Sequence, residues 1–229
     1  MKTAVITGGS GSIGEALVNE FAKDFRVVFT YLSNEKKARE TAEKYGAEAV
    51  PCDLTLKSDV NRLLKCVSSC DLLINNAGIS SLGLFTDLSD DELYSIIDTD
   101  MISAMKLTKA VLPLMIRERR GNIINISSIW GVYGGSCEVA YSSAKAGLIG
   151  FTKALSKELG CSGIRVNCIA PGFIKSNMNS SLTEEEVTAF AEGTSLGKIG
   201  NPSDVALAAR YLYEAEFVTG QVLGVDGGF

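Results

Sequence analysis

Short, wholly apolar runs alternate along the chain with longer stretches in which apolar residues recur at helical spacing. The runs at 4–6, 27–29, 49–50, 72–74, 122–126, 165–169 and 222–225 predict strands. The stretches at 13–23, 34–45, 57–67, 91–117, 141–159 and 203–213 predict the helices between them. Strands that are apolar at consecutive positions are buried on both faces, and the strand–helix–strand order supplies helices to cover them. The expectation is a single α/β domain over 1–229, a doubly wound parallel sheet with helices on both faces, without internal repeat or linker. Only 176–200 lacks a clear period. A long irregular segment inside a compact domain is more often functional than accidental, so a substrate lid is expected there.

Composition changes this picture mainly by one absence: the 229 residues include no histidine. A Ser-His-Asp or Cys-His hydrolase is excluded, and a catalytic zinc would have to rest on Cys and carboxylates alone. Acid–base chemistry must run through Tyr, Lys, Asp, Glu or Cys. Net charge is −5, from 22 Lys+Arg against 27 Asp+Glu, and basic residues cluster only at 117–120. Neither nucleic acid nor an acidic membrane is therefore an expected partner. No stretch approaches the roughly 18 apolar residues of a membrane span, and 1–14 does not read as a secretory signal. The six cysteines form no C-x-x-C pair and read as reduced thiols of a cytoplasmic protein, most of them small core hydrophobes.

Candidate chemistry follows the strands. Thr7-Gly8-Gly9-Ser10-Gly11-Ser12-Ile13-Gly14 leaves the first strand and opens the first helix. Glycines there let backbone approach a pyrophosphate, and the helix start offers N–H donors and the positive end of its dipole. The turn predicts a dinucleotide held by Gly8, Gly9, Ser10, Gly11, Ser12, Ile13 and Gly14 in a Rossmann-type fold. A carboxylate ending the second strand would hold a ribose 2′-OH and repel a 2′-phosphate. Here the chain runs Thr30-Tyr31-Leu32-Ser33-Asn34, with Lys36 and Lys37 close behind. NADP is the expected cofactor, with the Thr30 and Ser33 hydroxyls and the lysines near its phosphate, and NAD is the alternative. Asp53, ending the third strand, either accepts from an adenine amino group or caps the turn into the next helix.

Tyr141-Ser142-Ser143-Ala144-Lys145 places a phenol and an ammonium on one face of a helix. A nearby cation favours phenolate, which lets tyrosine act as acid or base where no imidazole exists. Ser128, after the fifth strand, offers a hydroxyl to the same crevice and can hold a carbonyl oxygen.

These motifs are joined by Asn75-Asn76-Ala77-Gly78, Pro171-Gly172-Phe173-Ile174 and the ending Thr219-Gly220-Gln221…Val225-Asp226-Gly227-Gly228. Together they resemble the short-chain dehydrogenase/reductase family over essentially the whole chain. Within it, 141–153 and 165–174 are most similar to the 3-oxoacyl-[acyl-carrier-protein] reductases. The resemblance implies an NADP-dependent oxidoreductase of fatty acid biosynthesis that reduces the carbonyl of a 3-oxoacyl thioester on acyl carrier protein. Its alternatives are an enzyme of sugars, polyols or other secondary alcohols, and a non-catalytic nucleotide sensor. The family pattern implies that Tyr141 donates the proton, that Lys145 lowers the Tyr pKa and binds the nicotinamide ribose, and that Ser128 holds the substrate oxygen. It implies that Asn76, Ala77 and Gly78 line the cofactor cleft, that Asp53 and Leu54 meet adenine, and that Ile174 meets the carboxamide end of the nicotinamide. It also implies a homotetramer.

Two departures from the pattern stand out. Ser12 occupies a usual glycine position, and Gly11 stands where NADP-dependent members often carry a basic residue. Asp100 stands where many members carry an Asn that completes a proton relay through water to Lys. Near Lys145 it would keep the ammonium charged and raise the phenol's pKa. Arg117, Arg119 and Arg120 either dock an acidic carrier protein beside the cleft or form a solvated helix end. Trp130, Tyr133 and Cys137 are expected to wall the substrate pocket.

Overall fold

The protein was analysed as a computed structural model that describes residues 1–176 and 183–229. Every run expected as a strand is one, most of them longer by a residue or two because backbone pairing continues past the last apolar side chain: β1 (Lys2–Ile6), β2 (Phe25–Tyr31), β3 (Glu48–Pro51), β4 (Leu72–Asn75), β5 (Gly121–Ile126), β6 (Ile164–Pro171) and β7 (Val222–Val225). They form one parallel sheet in the order β3-β2-β1-β4-β5-β6-β7. The order reverses between β1 and β4, and in open parallel sheets the crevice outside the carboxyl ends at such a switch point is where ligands bind.

Alternation along β1 explains the two layers. Ala4 and Ile6 pack with Leu17 and Phe21 of α1 (Ser12–Phe21) and with Val205 and Leu212 of α9 (Pro202–Glu214). Val5 packs on the other face with Leu63 of α3 (Lys57–Lys65), Leu107 and Val111 of α5 (Ser103–Glu118) and Leu159 of α7 (Val139–Leu159). Fully burying each such side chain contributes about 1.5–3 kcal/mol. α2 (Glu35–Tyr45) also covers the first face, through Ala38, and starts at the Asn34 cap, whose side chain accepts from Lys37 N. A polar ladder crosses the core. Asn75 Nδ2 donates to Thr108 Oγ1 (3.0 Å) and Asn125 Oδ1 (2.8 Å), and Asn125 Nδ2 donates to Thr152 Oγ1 (2.8 Å). It ties β4 and β5 to α5 and α7, and so fixes α7 relative to the carboxyl ends of the central strands.

The structure differs from the periodic reading in three places. The stretch 91–117 is not one helix but α4 (Asp90–Ile97), a π-helical turn (Asp98–Ile102) and α5. The extra residue lets the Ser103 N–H reach Asp98 O, five residues back, and turns Asp100 inward. A single-residue insertion barely disturbs an apolar period, which is why it escapes a sequence reading. The segment after Ser128 forms α6 (Ile129–Tyr133), one turn long and too short to show a period. The irregular 176–200 contains α8 (Glu184–Glu192), opened by a Thr183/Glu186 capping box; its apolar face is short, with Val187, Phe190 and Ala191 only partly buried. The part of the expected lid at 177–182 lies outside the described residues. Among the described residues no helix is long and apolar enough to cross a membrane.

Candidate active site

A cavity of about 790 Å³ runs along the carboxyl ends of the strands, from the β2 and β3 ends, over the glycine-rich turn, to α6 and α7. The turn is locked from below. Thr7 Oγ1 accepts from the N–H groups of Asn76 (2.8 Å) and Ala77 (2.9 Å), and Asn76 Nδ2 donates back to Thr7 O (2.9 Å) and Gly8 O (3.3 Å). Gly8 sits at φ +68, and a Cβ there would lie 3.0 Å from Ala77 Cα. At Gly14 a Cβ would stand 2.1 Å from Gly8 O, so only glycine lets α1 pack onto its own turn. Gly11 is the N-cap of α1 and supplies no side-chain cap, and Ser12, Ile13 and Gly14 of the first turn line the cleft.

At the other end, Ser128 caps α6 by accepting from Trp130 N (3.1 Å), and its hydroxyl shares the cleft with the Tyr141 phenol and favours its ionised form. Lys145, one turn on from Tyr141, is buried. Its Nζ donates to Ile126 O (3.2 Å), pairs with Asp100 Oδ2 (3.1 Å) and lies 5.4 Å from the Tyr141 ring centroid. The other oxygen of Asp100 accepts from Ile79 N (2.7 Å). Gly78 makes room for this pair: a Cβ there would fall 2.7 Å from Asp100 Oδ2 and 3.0 Å from Lys145 Nζ.

Opposing physical influences set the protonation states here. Burial pushes the Tyr141 phenol above its ordinary value, and Asp100 and Glu138 push the same way, against the Lys145 ammonium and the Ser128 hydroxyl. Burial pulls Lys145 down, but Asp100 and Tyr141 outweigh it and the ammonium is held charged. Burial raises Asp100 as well, opposed by Lys145 and the Ile79 N–H. The arrangement presents a neutral phenol and a serine hydroxyl to one point of the cleft, above a buried cation that stabilises the phenolate once the proton has left.

Most of the expected site residues line this cavity: Gly8, Ser10, Gly11, Ser12, Ile13 and Gly14 of the turn, Ser33, Asp53 and Leu54, then Asn76, Ala77 and Gly78, and finally Ser128, Tyr141, Lys145 and Ile174. Two do not. Gly9 turns away from the cleft onto β2, where a Cβ would meet the Phe29 ring at 2.3 Å, so its role is packing. Asp100 lies behind Lys145 rather than in the cleft, paired with its Nζ. Several neighbouring side chains have partners that the sequence does not reveal. The Thr30 hydroxyl is buried and accepts from Gly8 N (3.2 Å), which withdraws it from any phosphate. Lys37 pairs with Glu15 (2.8 Å), while Lys36 is exposed. The Asp53 carboxylate accepts from the Thr55 N–H (2.9 Å) and hydroxyl (2.6 Å), shaping the turn after β3.

Of the three residues expected in the pocket wall, Trp130 lines the cleft. Tyr133 is exposed against the Phe229 ring, and Cys137, at φ +62, gives its carbonyl to Gly83 N outside the lining. Arg117, Arg119 and Arg120 precede β5 and so stand at the amino edge of the sheet, across the chain from the cleft; Arg120 pairs with Asp71 (2.8 Å). Sequence reasoning passed over Thr7, Ser80, Glu138 and Phe190, which lock the turn or line the cleft. For Glu138 a signal existed: it lies three residues before Tyr141, on the same helix face. Phe190 of α8 stacks on Phe173 at 4.4 Å, bringing the irregular segment to the cleft mouth.

The residues present fit a nicotinamide dinucleotide. The turn has backbone room that side chains would fill, an uncapped helix start faces it, and no carboxylate ends β2. Comparison with known proteins points the same way. A sequence profile of the family described as short chain dehydrogenase matches residues 2–187. The chain is 39% identical over 239 residues to a 3-oxoacyl-[acyl-carrier-protein] reductase FabG of Chlamydia muridarum, covering 99% of this chain and 96% of the relative. It is 40% identical over 233 residues to the protein of that name from Rickettsia typhi, with 99% and 96% covered. It is 37% identical over 238 residues to an uncharacterized oxidoreductase YmfI of Bacillus subtilis, with 100% and 98% covered.

The glycine packing carries a direct test. Overpacking costs about 1–3 kcal/mol, so Gly14→Ala is expected to weaken NADPH binding by about tenfold or more by displacing the turn, as measured by calorimetric titration. Unchanged affinity would show that the turn does not hold the dinucleotide.

Proposed function

The chain belongs to the short chain dehydrogenase family, and on that premise we propose that it reduces the keto group of a 3-oxoacyl thioester, carried on acyl carrier protein, with NADPH. The observation that carries this reading is the Ser128–Tyr141 hydroxyl pair set above Lys145, at the end of a cleft shaped for a dinucleotide. The printed names of the relatives support the substrate, because two of those compared are 3-oxoacyl-[acyl-carrier-protein] reductases matched over nearly their full length.

When bound, the nicotinamide supplies the hydride. Ser128 and Tyr141 hold the keto oxygen through their hydroxyls, so the carbon is presented in one orientation. As negative charge develops on that oxygen, Tyr141 donates its phenolic proton, and Lys145, ion-paired and charged, stabilises the phenolate left behind. Asp100 is a positioning residue: it fixes the Lys145 Nζ and takes no part at the reacting atoms. Tyr31 at the end of β2 and Leu32, Ser33 and Asn34 after it offer no acid against a 2′-phosphate; this supports NADPH over NADH. Outward-facing Tyr94, Met105 and Ile116 on α4 and α5, and Leu207 and Tyr211 on α9, are exposed and support self-association as a homotetramer.

Oxidation of NADPH and NADH, followed side by side with a short 3-oxoacyl thioester, tests the reading. Turnover with NADPH preferred is expected, and Tyr141→Phe should lower kcat by about 10²–10⁴-fold. Turnover only of a sugar or polyol, or tight NADPH binding without turnover, would contradict it. The pH profile tests the role of Asp100. Reduction needs the phenol protonated, so the rate falls as pH rises through the Tyr141 pKa. Asp100 raises that pKa, and Asp100→Asn is therefore expected to move the alkaline limb to lower pH. Superimposable profiles would remove Asp100 from the proton chemistry.

A further inference from the structure

Among the described residues two carboxylates line the cleft, and neither is used in the chemistry above. Asp53 stands at the β3 end with its carboxylate engaged by Thr55. Glu138 stands at the catalytic end. It is the N-cap residue of α7, and with Tyr141 and Lys145 it occupies one helix face. The residue is half-buried and lines the cleft, as do two potential donors, Ser80 from the loop after β4 and Trp130 from α6, which favour its charged form. Trp130 is itself braced edge-on by Phe229, at 5.5 Å between ring centroids.

A carboxylate kept from water is costly unless it meets donors. Burial accordingly pushes the Glu138 carboxyl up, against the lowering influence of Ser80 and Trp130. An ionised carboxylate has about four acceptor sites, more than two donors fill, and Glu138 lines the same cavity as Ser128 and Tyr141, where the keto group must sit. That capacity suits a substrate that brings a donor. The arm that carries a 3-oxoacyl thioester contains amide groups, each with one N–H.

We propose that Glu138 is a specificity-determining residue that accepts a hydrogen bond from an amide N–H on the thioester arm, selecting acyl groups carried on such an arm over acyl groups without one. The inference rests on the thioester reading given above. A hydrogen bond to a charged group is among the stronger ones in proteins, so its effect should be readable as a preference of about tenfold or more.

The test compares kcat/KM with NADPH for two acetoacetyl thioesters, one of N-acetylcysteamine and one of an alkyl thiol of equal length that lacks the amide. Wild type, Glu138→Gln and Glu138→Ala are measured. The ratio between substrates is taken within each protein preparation, so a reduced folded fraction cancels. Wild type should prefer the amide-bearing thioester about tenfold or more, chiefly through KM. Glu138→Gln, which keeps an acceptor without the charge, should keep part of the preference, and Glu138→Ala should bring it close to unity. An equal ratio in all three proteins would overturn the role of Glu138 and leave the thioester reading standing. If wild type reduces neither thioester, both readings fall.

Discussion

A lysine ammonium with almost no water around it is the constraint that organises the catalytic end of this molecule. An unpaired charge in such a place would cost several kcal/mol, and losing one partner of a buried pair is strongly destabilising. Lys145 is therefore surrounded by features that exist to accommodate it. Asp100 supplies the counter-charge at 3.1 Å, and the Ile126 carbonyl, at the end of β5, accepts at 3.2 Å. Gly78 leaves the volume in which the pair meets. Ser127 donates to the Lys145 main-chain carbonyl, and Gly131 allows α6 to pack against the same turn of α7. Asp100 is the buried residue of the π-helical turn between α4 and α5, which carries it to the ammonium.

The proton chemistry follows from this arrangement. A phenol in a dry cleft holds its proton more tightly than one in water, and Asp100 and Glu138 strengthen that hold. The ammonium acts in the opposite sense. Because Asp100 keeps Lys145 charged while itself opposing the phenolate, the pair sets the proton affinity of Tyr141 from two sides. The fold contributes the geometry: parallel strands bring the glycine turn, the β4 and β5 ends and α7 to one edge of the sheet, and the asparagine ladder fixes α7 against the central strands. A protein with no histidine thus has a proton donor whose affinity is adjustable by its neighbours.

Much of this was legible in the chain. Continuous apolar runs marked the strands, because a parallel sheet covered on both faces leaves no polar alternation to obscure them. The spacing of Tyr141 and Lys145 and the position of Ser128 after β5 placed three side chains at one point, because helical periodicity and strand ends are local properties. What escaped was set by tertiary contacts. Gly9 looks like the other glycines of the turn, and only the Phe29 ring behind it shows that it serves packing. The Thr30 hydroxyl is drawn inward by Gly8 N, and Lys37 is engaged by Glu15 from α1. Arg117, Arg119 and Arg120 precede β5, and strand direction alone would have put them at the amino edge. α8 has only a three-residue, partly buried apolar face, too short to stand out as a period, and the π-helical turn costs a single residue of phase.

The account turns on the proton affinity of Tyr141, and titration of the ligand-free protein reads it directly. Tyrosinate absorbance is followed against pH, and the curve for Tyr141→Phe is subtracted from that for wild type, so that the difference belongs to one phenol. The account predicts a midpoint above the ordinary tyrosine value of about 10. A midpoint at or below that value, with Asp100 and Lys145 both in place, would contradict it.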